Sequence, residues 1–420
     1  MKQIVVIGGG VVGLTTAWTL AEEGHQVTLV EREAALAEGA SRANGGQLSY
    51  RYVSPLADAG VPLKALRWLL DPDGPLRFKP ELRWHQWAWM LAFLRACRGP
   101  VNRRSTERLL ALGALSQQAF ARLQRDAGLD EAIALRAPGK LVIYRKPEEF
   151  ARVAQRLRAT PGGPEQVLDH GECLALEPAL ALADSRFAGG VFTPGEAVAD
   201  CHALCLQLAE RLHSHPNFRG VQRAEGRSFR QEGGRVRALI ARDGQEIGGD
   251  AFVLAAGLHS RGLGKSLGLD LPLYPLKGYS LSAPIVAGEH RPPEVSVTDF
   301  ERKVLYARIG TQLRVAAMVD LVGDDARIDP QRIASLQRAC RDMFPRAADY
   351  ERAEQWAGLR PATPSGAPIL GASGVAENLW LNVGHGALGF TFSFGSARIV
   401  ADLMAGRASP LPLDGLQLAR

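Results

Sequence analysis

Residues 4–31 read IVVIGGGVVGLTTAWTLAEEGHQVTLVE. Ile4 to Ile7 is an unbroken β-branched run, the pattern of a strand covered on both faces. The glycine turn Gly8-Gly9-Gly10-Val11-Val12-Gly13 follows, then a helical spacing through Ala17, Leu20 and Ala21 that stops at Gly24. A second strand, Gln26 to Val30, ends on Glu31. Strand, helix and strand in this order form a βαβ unit whose glycines have separate tasks. Gly8 allows the tight turn, Gly10 lets the backbone approach a pyrophosphate, and Gly13 brings helix against strand. The pyrophosphate would rest on the N–H groups and positive dipole end of the helix. Glu31, 18 residues past Gly13, is placed to accept hydrogen bonds from ribose hydroxyls and to repel a 2′-phosphate. The fragment reads as a Rossmann-type adenine-dinucleotide site and does not by itself separate NAD from FAD.

The rest of the chain makes that choice. An NAD dehydrogenase normally goes on with further βα units, whereas this chain runs into Gly39-Ala40-Ser41-Arg42-Ala43-Asn44-Gly45-Gly46-Gln47-Leu48, small residues whose backbone can press on a planar ligand. A third apolar strand comes only at 251–257, as it would if other segments were inserted into the nucleotide-binding sheet. Near the C-terminus, Gly384-His385-Gly386-Ala387-Leu388-Gly389-Phe390-Thr391 precedes an apolar helix from Ser396 to Met404. A glycine-rich loop opening a helix offers N–H donors to the pyrimidine end of a reduced flavin. FAD is therefore expected, and no signal for covalent attachment is present. Its candidate contacts are Gly8, Gly10, Val12 and Gly13 in the turn, with Glu31 and Arg32 after the second strand. Ser41, Asn44, Gly45, Gly46, Gln47 and Leu48 supply the small-residue stretch, and Ala256 and Gly257 follow the third strand. His385, Gly386, Leu388, Gly389 and Thr391 supply the last loop.

The composition, 46% hydrophobic and 22% charged, excludes a disordered or fibrous chain. A length of 420 residues allows two or three domains, or one two-lobed unit. The net charge of +6 is carried by eight lysines and 42 scattered arginines rather than a basic stripe, so nucleic acid is a poor partner. Five cysteines form no C-x-x-C pair, which argues against a disulfide scaffold and a zinc site, and no metal is expected. Met1-Lys2-Gln3 leads straight into the first strand without the flanks of a secretory signal, and no apolar run reaches the ~18 residues of a spanning helix. A cytoplasmic protein is expected, at most peripheral on the inner face of the cytoplasmic membrane. The Trp-rich stretch from Trp84 to Leu94 raises a headgroup-zone reading. Because Trp84, Trp87 and Leu91 share a face at helical spacing, a packed helix is preferred. Asp200 is read as the cap of a helix through Leu204, Leu208 and Leu212.

Five longer motifs extend the reading: SRANGGQ at 41–47, GVPLKA at 60–65, LYPLKGYSL at 273–281, WAGLRPATP at 356–364 and NLWLNVGHG at 378–386. Through them the chain resembles the D-amino-acid-oxidase-like FAD-dependent oxidoreductase superfamily, and within it the small-subunit family of bacterial D-amino acid dehydrogenases. Gly46, Phe390 and the run Phe392-Ser393-Phe394 depart from that family's usual residues, at positions expected near the ring or pocket. The resemblance implies an α/β protein. Residues 1–50, 196–268 and 352–420 would form a Rossmann-type FAD-binding domain. Residues 51–195 and 269–351 would form an interleaved substrate domain, an α+β lobe on a mixed, largely antiparallel sheet.

The same resemblance implies oxidative deamination of D-amino acids to 2-oxo acids and ammonia. Hydride would pass from Cα to flavin N5 and the electrons to a quinone or a partner protein. Arg360, in the constrained Gly358-Leu359-Arg360-Pro361 turn, is the implied carboxylate-binding arginine and is counted beside the cofactor too. Tyr52, Tyr279 and Tyr306 are candidates to complete the carboxylate clamp. Lys277 could lie near N5, as a lysine does in sarcosine oxidases, and His385 could donate beside the flavin. Three alternatives stay open: a D-proline or hydroxy-D-proline dehydrogenase, an oxygen-using amine oxidase of the glycine or sarcosine type, and a flavin-holding electron-relay subunit without a substrate site.

Overall fold

The computed structural model describes the chain except residues 52–56, 58–59, 70, 72, 128, 160–161, 185 and 419–420, and the side chains at 63–64, 66–67 and 126–127. The β-branched run at the start lies inside a six-stranded sheet. Gln3–Ile7 pairs in parallel with Gln26–Glu31 on one side and Ala251–Leu254 on the other. Phe218–Arg223 and Leu379–Val383 extend the sheet in parallel, and Ile369–Ala372 closes one edge antiparallel. Alternation along the strand sends Ile4 and Val6 into one core and Val5 and Ile7 into another, so both faces are covered and the run contains no polar residue.

Helices Val11–Glu22, Gly99–Ala127, Cys201–His213 and Gly389–Met404 build the first core. A three-stranded sheet from Gly226 to Gly248 closes the second. Asp200 caps Cys201–His213 as expected, its carboxylate accepting from the Ala203 N–H at 2.9 Å. The C-terminal helix begins at Gly389 rather than at Ser396. Phe392 and Phe394 point into the first core rather than towards a ligand. Gly395 lets the helix pass Ser116, whose backbone nitrogen would be 2.9 Å from any Cβ there. Burial thus outweighs the weak helix propensity of Gly, Thr and Phe.

A second sheet has nine strands among the described residues. Its order is Glu354–Ala362, Tyr274–Pro284, Gln312–Leu321, Val304–Ile309, Ser296–Asp299, Lys140–Tyr144, Gly189–Thr193 and Gln166–Asp169, with Leu76–Phe78 beside Gln312–Leu321. Only Ser296–Asp299 with Lys140–Tyr144, and Leu76–Phe78 with Gln312–Leu321, pair in parallel. The sheet is therefore mixed and largely antiparallel, and Pro330–Met343 covers one face. Two segments sit apart from the division read from the sequence. Glu354–Ala362, expected with the cofactor lobe, is hydrogen-bonded along Tyr274–Pro284. Gly99–Ala127, expected with the substrate lobe, packs Leu109, Leu112 and Phe120 into the first core.

Trp84–Ala96 is a helix, but its buried face is not the expected one. Trp84, Trp87 and Leu91 are 77%, 43% and 48% exposed. Gln86 and Trp89 are buried instead, Gln86 donating to the Tyr274 hydroxyl at 2.8 Å and the Trp89 indole to the Ala362 carbonyl at 3.0 Å. Among the described residues no helix is long and apolar enough to cross a membrane.

Candidate active site

A cavity of about 1140 Å³ opens between the two sheets. It lies beyond the carboxyl ends of Gln3–Ile7, Gln26–Glu31 and Ala251–Leu254, where open parallel sheets bind ligands. It exceeds the ~300–1,000 Å³ of common small-molecule sites, leaving room for a dinucleotide and a substrate.

The turn after the first strand fits a pyrophosphate. Gly8 has φ 114°, and a Cβ there would lie 2.5 Å from the Ala255 carbonyl oxygen. A Cβ on Gly13 would lie 1.7 Å from the Gly8 oxygen, so helix and turn are in direct contact. Gly13 packs in this way and does not line the cavity, and Leu48 is likewise buried in the first core. The helix N-cap, Gly10, has no side-chain cap, while the Val11 N–H donates to Ser41 Oγ at 3.0 Å. Glu31 closes the other end of the turn, its carboxylate accepting from the Gly9 N–H at 2.6 Å and the Glu33 N–H at 2.9 Å. Val12, Arg32, Ala256 and Gly257 line the same end.

The small-residue stretch is tied to the second sheet. Ser280 Oγ donates to the Ala43 carbonyl at 2.6 Å, and Arg314 Nη1 donates to the Asn44 carbonyl at 2.8 Å. Asn44 Oδ1 accepts from the Gly46 N–H at 2.9 Å. Gly45, Gly46 and Gln47 line the cavity, with Gly386, Leu388, Gly389, Phe390 and Thr391 coming from the C-terminal loop. His385 lines the cavity from that loop as well, but its imidazole Nε2 stands 3.0 Å from Ser396 Oγ. The Ser396 hydroxyl donates to the Ser393 carbonyl at 3.1 Å, so Nε2 is the donor of the pair. Burial pushes the His385 pKa down to about 3, and the ring is neutral at physiological pH. Its expected role as a donor to the flavin is thus not supported, because that N–H is committed to Ser396.

Arg360 stands opposite Leu276 across two paired strands. Side chains alternate along a strand, so Trp356, Gly358 and Arg360 share the cavity face with Ser280, Gly278 and Leu276. The guanidinium lies across Gly278, where a Cβ would be 2.1 Å from Nη2 and 2.3 Å from Cζ. Nη1 donates to the Met318 carbonyl at 2.9 Å. Met318 has φ 71° and sits at a β-bulge, between the pairs Lys277–Asp320 and Tyr279–Ala317, which turns its carbonyl towards the arginine. Among the described residues, Nε and Nη2 have no protein partner and no carboxylate is paired with the guanidinium. Burial lowers its pKa to about 10, opposed by Asp320, so it stays charged at neutral pH. A recessed cation with two unspent, parallel donors is a receptor for a ligand carboxylate.

The other candidates fall elsewhere. Strand alternation puts Lys277 and Tyr279 on the opposite face from Arg360. Lys277 Nζ donates to the Arg327 carbonyl and lines a separate, smaller cavity, so it is not a cavity-side lysine near a flavin. Tyr279 contributes to the walls of both cavities, but its hydroxyl donates to Asp320 Oδ2 at 3.2 Å. Tyr306 is fully buried, donates to the Ala339 carbonyl at 3.0 Å and packs edge-on against Phe344, so it cannot join a carboxylate clamp. Tyr52 lies outside the described residues.

Lys140, Lys265 and Lys303 do line the cavity, and of these Lys140, which the sequence reading left without a role, is buried. Its Nζ donates to Gln47 Oε1 at 2.8 Å and Ser49 Oγ at 3.4 Å. Burial lowers its pKa to about 8, with Glu196 opposing. A lysine opening the run Lys140-Leu141-Val142-Ile143-Tyr144 carries no local mark of burial. Trp356 and Met318 were also missed, the former inside a quoted motif.

With this geometry, the chain belongs to the FAD-dependent oxidoreductase (DAO) family, whose model, described as FAD dependent oxidoreductase, matches residues 3–403. FAD is its cofactor, and the glycine cradle, Glu31 and the two glycine loops fit it. The chain is 50% identical to D-amino acid dehydrogenase 2 of Pseudomonas aeruginosa over 420 residues, covering 99% of this chain and 98% of that one. It is 48% identical to D-amino acid dehydrogenase 2 of Ralstonia nicotianae over 427 residues, covering 100% of both. Glycine oxidase from Geobacillus kaustophilus shares the fold, with a TM-score of 0.74 at 23% identity over 100% of this chain and 99% of that one.

Proposed function

We infer that this chain is an FAD-dependent dehydrogenase that deaminates D-amino acids to 2-oxo acids and ammonia. The observation that carries this reading is Arg360, a charged guanidinium facing the cofactor cavity with Nε and Nη2 unspent. The two relatives named D-amino acid dehydrogenase support the substrate class. With Nη1 held by Met318, Nε and Nη2 grip the substrate carboxylate through two parallel hydrogen bonds. Gly8–Gly10 and the helix end would hold the pyrophosphate of FAD, Glu31 its ribose, and the 43–47 and 386–389 loops its ring system. Bound FAD supplies the acceptor for the electron pair leaving Cα–H. A substrate arriving with a neutral amine needs no protein base, so orientation carries most of the rate. Water then converts the imine product to 2-oxo acid and ammonia.

For reoxidation we infer a quinone or protein acceptor reached at an anionic membrane surface. Residues 82–106 contain five arginines and no acidic residue. The exposed side chains of Leu82, Trp84, Trp87, Leu91 and Leu94 fall in the same stretch. Such a face combines apolar anchors with charge complementary to anionic headgroups.

The test of the substrate reading is anaerobic mixing of the FAD-loaded protein with D- and L-amino acids, D-proline included. Loss of the flavin absorbance with D-amino acids is expected. Loss only with L-amino acids, or none with any, would overturn the reading.

A further inference from the structure

Beyond the carboxylate site, the cavity face of the second sheet carries a feature that bears on substrate choice. Gly278 and Gly358 are cross-strand partners. Each is covered by a side chain from the strand Glu354–Ala362. The Arg360 guanidinium lies over Gly278, and the Trp356 indole lies over Gly358, where a Cβ would be 1.9 Å from Cη2 and 2.3 Å from Cζ2. Any side chain at either glycine would collide with the group above it. The pair therefore lets a cation and an aromatic ring lie down side by side on the sheet.

We propose that the Trp356 indole is the wall against which the substrate side chain rests, making apolar D-amino acids with bulky or aromatic side chains the preferred class. The proposal rests on the reading of Arg360 as carboxylate receptor. Paired residues of antiparallel strands stand ~4.5–5.5 Å apart, so a carboxylate on the guanidinium has the indole about one side-chain length away. A methyl group falls short of it, whereas a leucine-sized or aromatic group reaches it. The neighbouring row of the sheet, Ser280, Ala316 and Leu305 in register with Trp356, also lines the cavity but has the 43–46 loop packed against it. Ser280 is bonded to the Ala43 carbonyl, and a Cβ on Gly45 would lie 2.6 Å from Leu305 Cδ2. An indole face offers dispersion and ring stacking to an apolar group and no charge to balance an ionic one.

The test uses the FAD-loaded protein and two variants, Trp356→Ala and Trp356→Phe. For each, kcat/KM is measured with D-alanine and D-phenylalanine, alongside FAD content and melting temperature. Wild type should prefer D-phenylalanine. Trp356→Ala should lower kcat/KM for D-phenylalanine by about tenfold or more while changing D-alanine by less than about threefold. Trp356→Phe should keep most of the preference, and it supplies the ratio if the alanine variant does not fold. Equal losses for both substrates in the folded variants, or a wild-type preference for D-alanine, would overturn the proposal. Failure of the function reading looks different: wild type would oxidise neither substrate, and the proposal would fall with it.

Discussion

Gly278 decides where the charge of Arg360 sits. The colliding atoms are the far end of a flexible side chain, so a methyl group at 278 displaces the guanidinium rather than the backbone. Gly278→Ala should therefore fold and bind FAD, yet raise KM for D-amino acids about 10- to 100-fold, the equivalent of one charge-assisted hydrogen bond of ~1.5–3 kcal/mol. Steady-state kinetics beside FAD content check this, and an unchanged KM would contradict the geometry. Lys140 gives a prediction of another kind. Its pKa is about 8 in the folded protein against the ordinary 10.5. Between those values the unfolded chain holds a proton that the folded chain lacks, so Lys140 makes stability rise with pH across that window. Lys140→Met should remove this rise, measured as denaturation midpoints from pH 7 to 10.5. Neither residue announces itself in the sequence, because a glycine's neighbour across a sheet and a lysine's burial are both set by distant segments.

At the scale of elements, what could be read was what is local. The strand, glycine turn and helix from Ile4 to Glu31 lie as their spacing indicates, since each step of that unit is specified by adjacent residues. The helix Trp84–Ala96 shows the limit. Its periodicity reveals that Trp84, Trp87 and Leu91 share a face, but periodicity does not say which face is buried. Trp89 and Gln86 took the inside through hydrogen bonds to Ala362 and Tyr274, residues far along the chain. Tyr306 and Lys277 failed as site residues for the same reason, since strand register decides which side of a sheet a side chain meets. The exposed face predicts that the protein sediments with vesicles containing anionic lipid and less with neutral ones. Replacing Trp84 and Trp87 by Ser should weaken sedimentation with both kinds of vesicle without changing activity towards a soluble dye acceptor. Equal sedimentation of the double variant would remove the membrane role of this helix.

For the whole molecule, the parallel sheet brings a dinucleotide cradle to the carboxyl ends of its strands, and the mixed sheet brings Arg360 to the same cavity from the other side. The loop at 41–47, bonded to Ser280 and Arg314, joins the two. Motifs separated by hundreds of residues thus meet around one space, which is why the cofactor could be anticipated from glycine turns while the substrate wall could not. The meeting of Arg360 with a ligand carboxylate in that space is tested most directly by anaerobic stopped-flow reduction of FAD-loaded wild type and Arg360→Ala by a D-amino acid. The variant should keep its FAD and its visible spectrum and lose more than about a hundredfold in reduction rate at subsaturating substrate, as expected for losing a two-point charged grip. Reduction of Arg360→Ala at the wild-type rate would contradict the account.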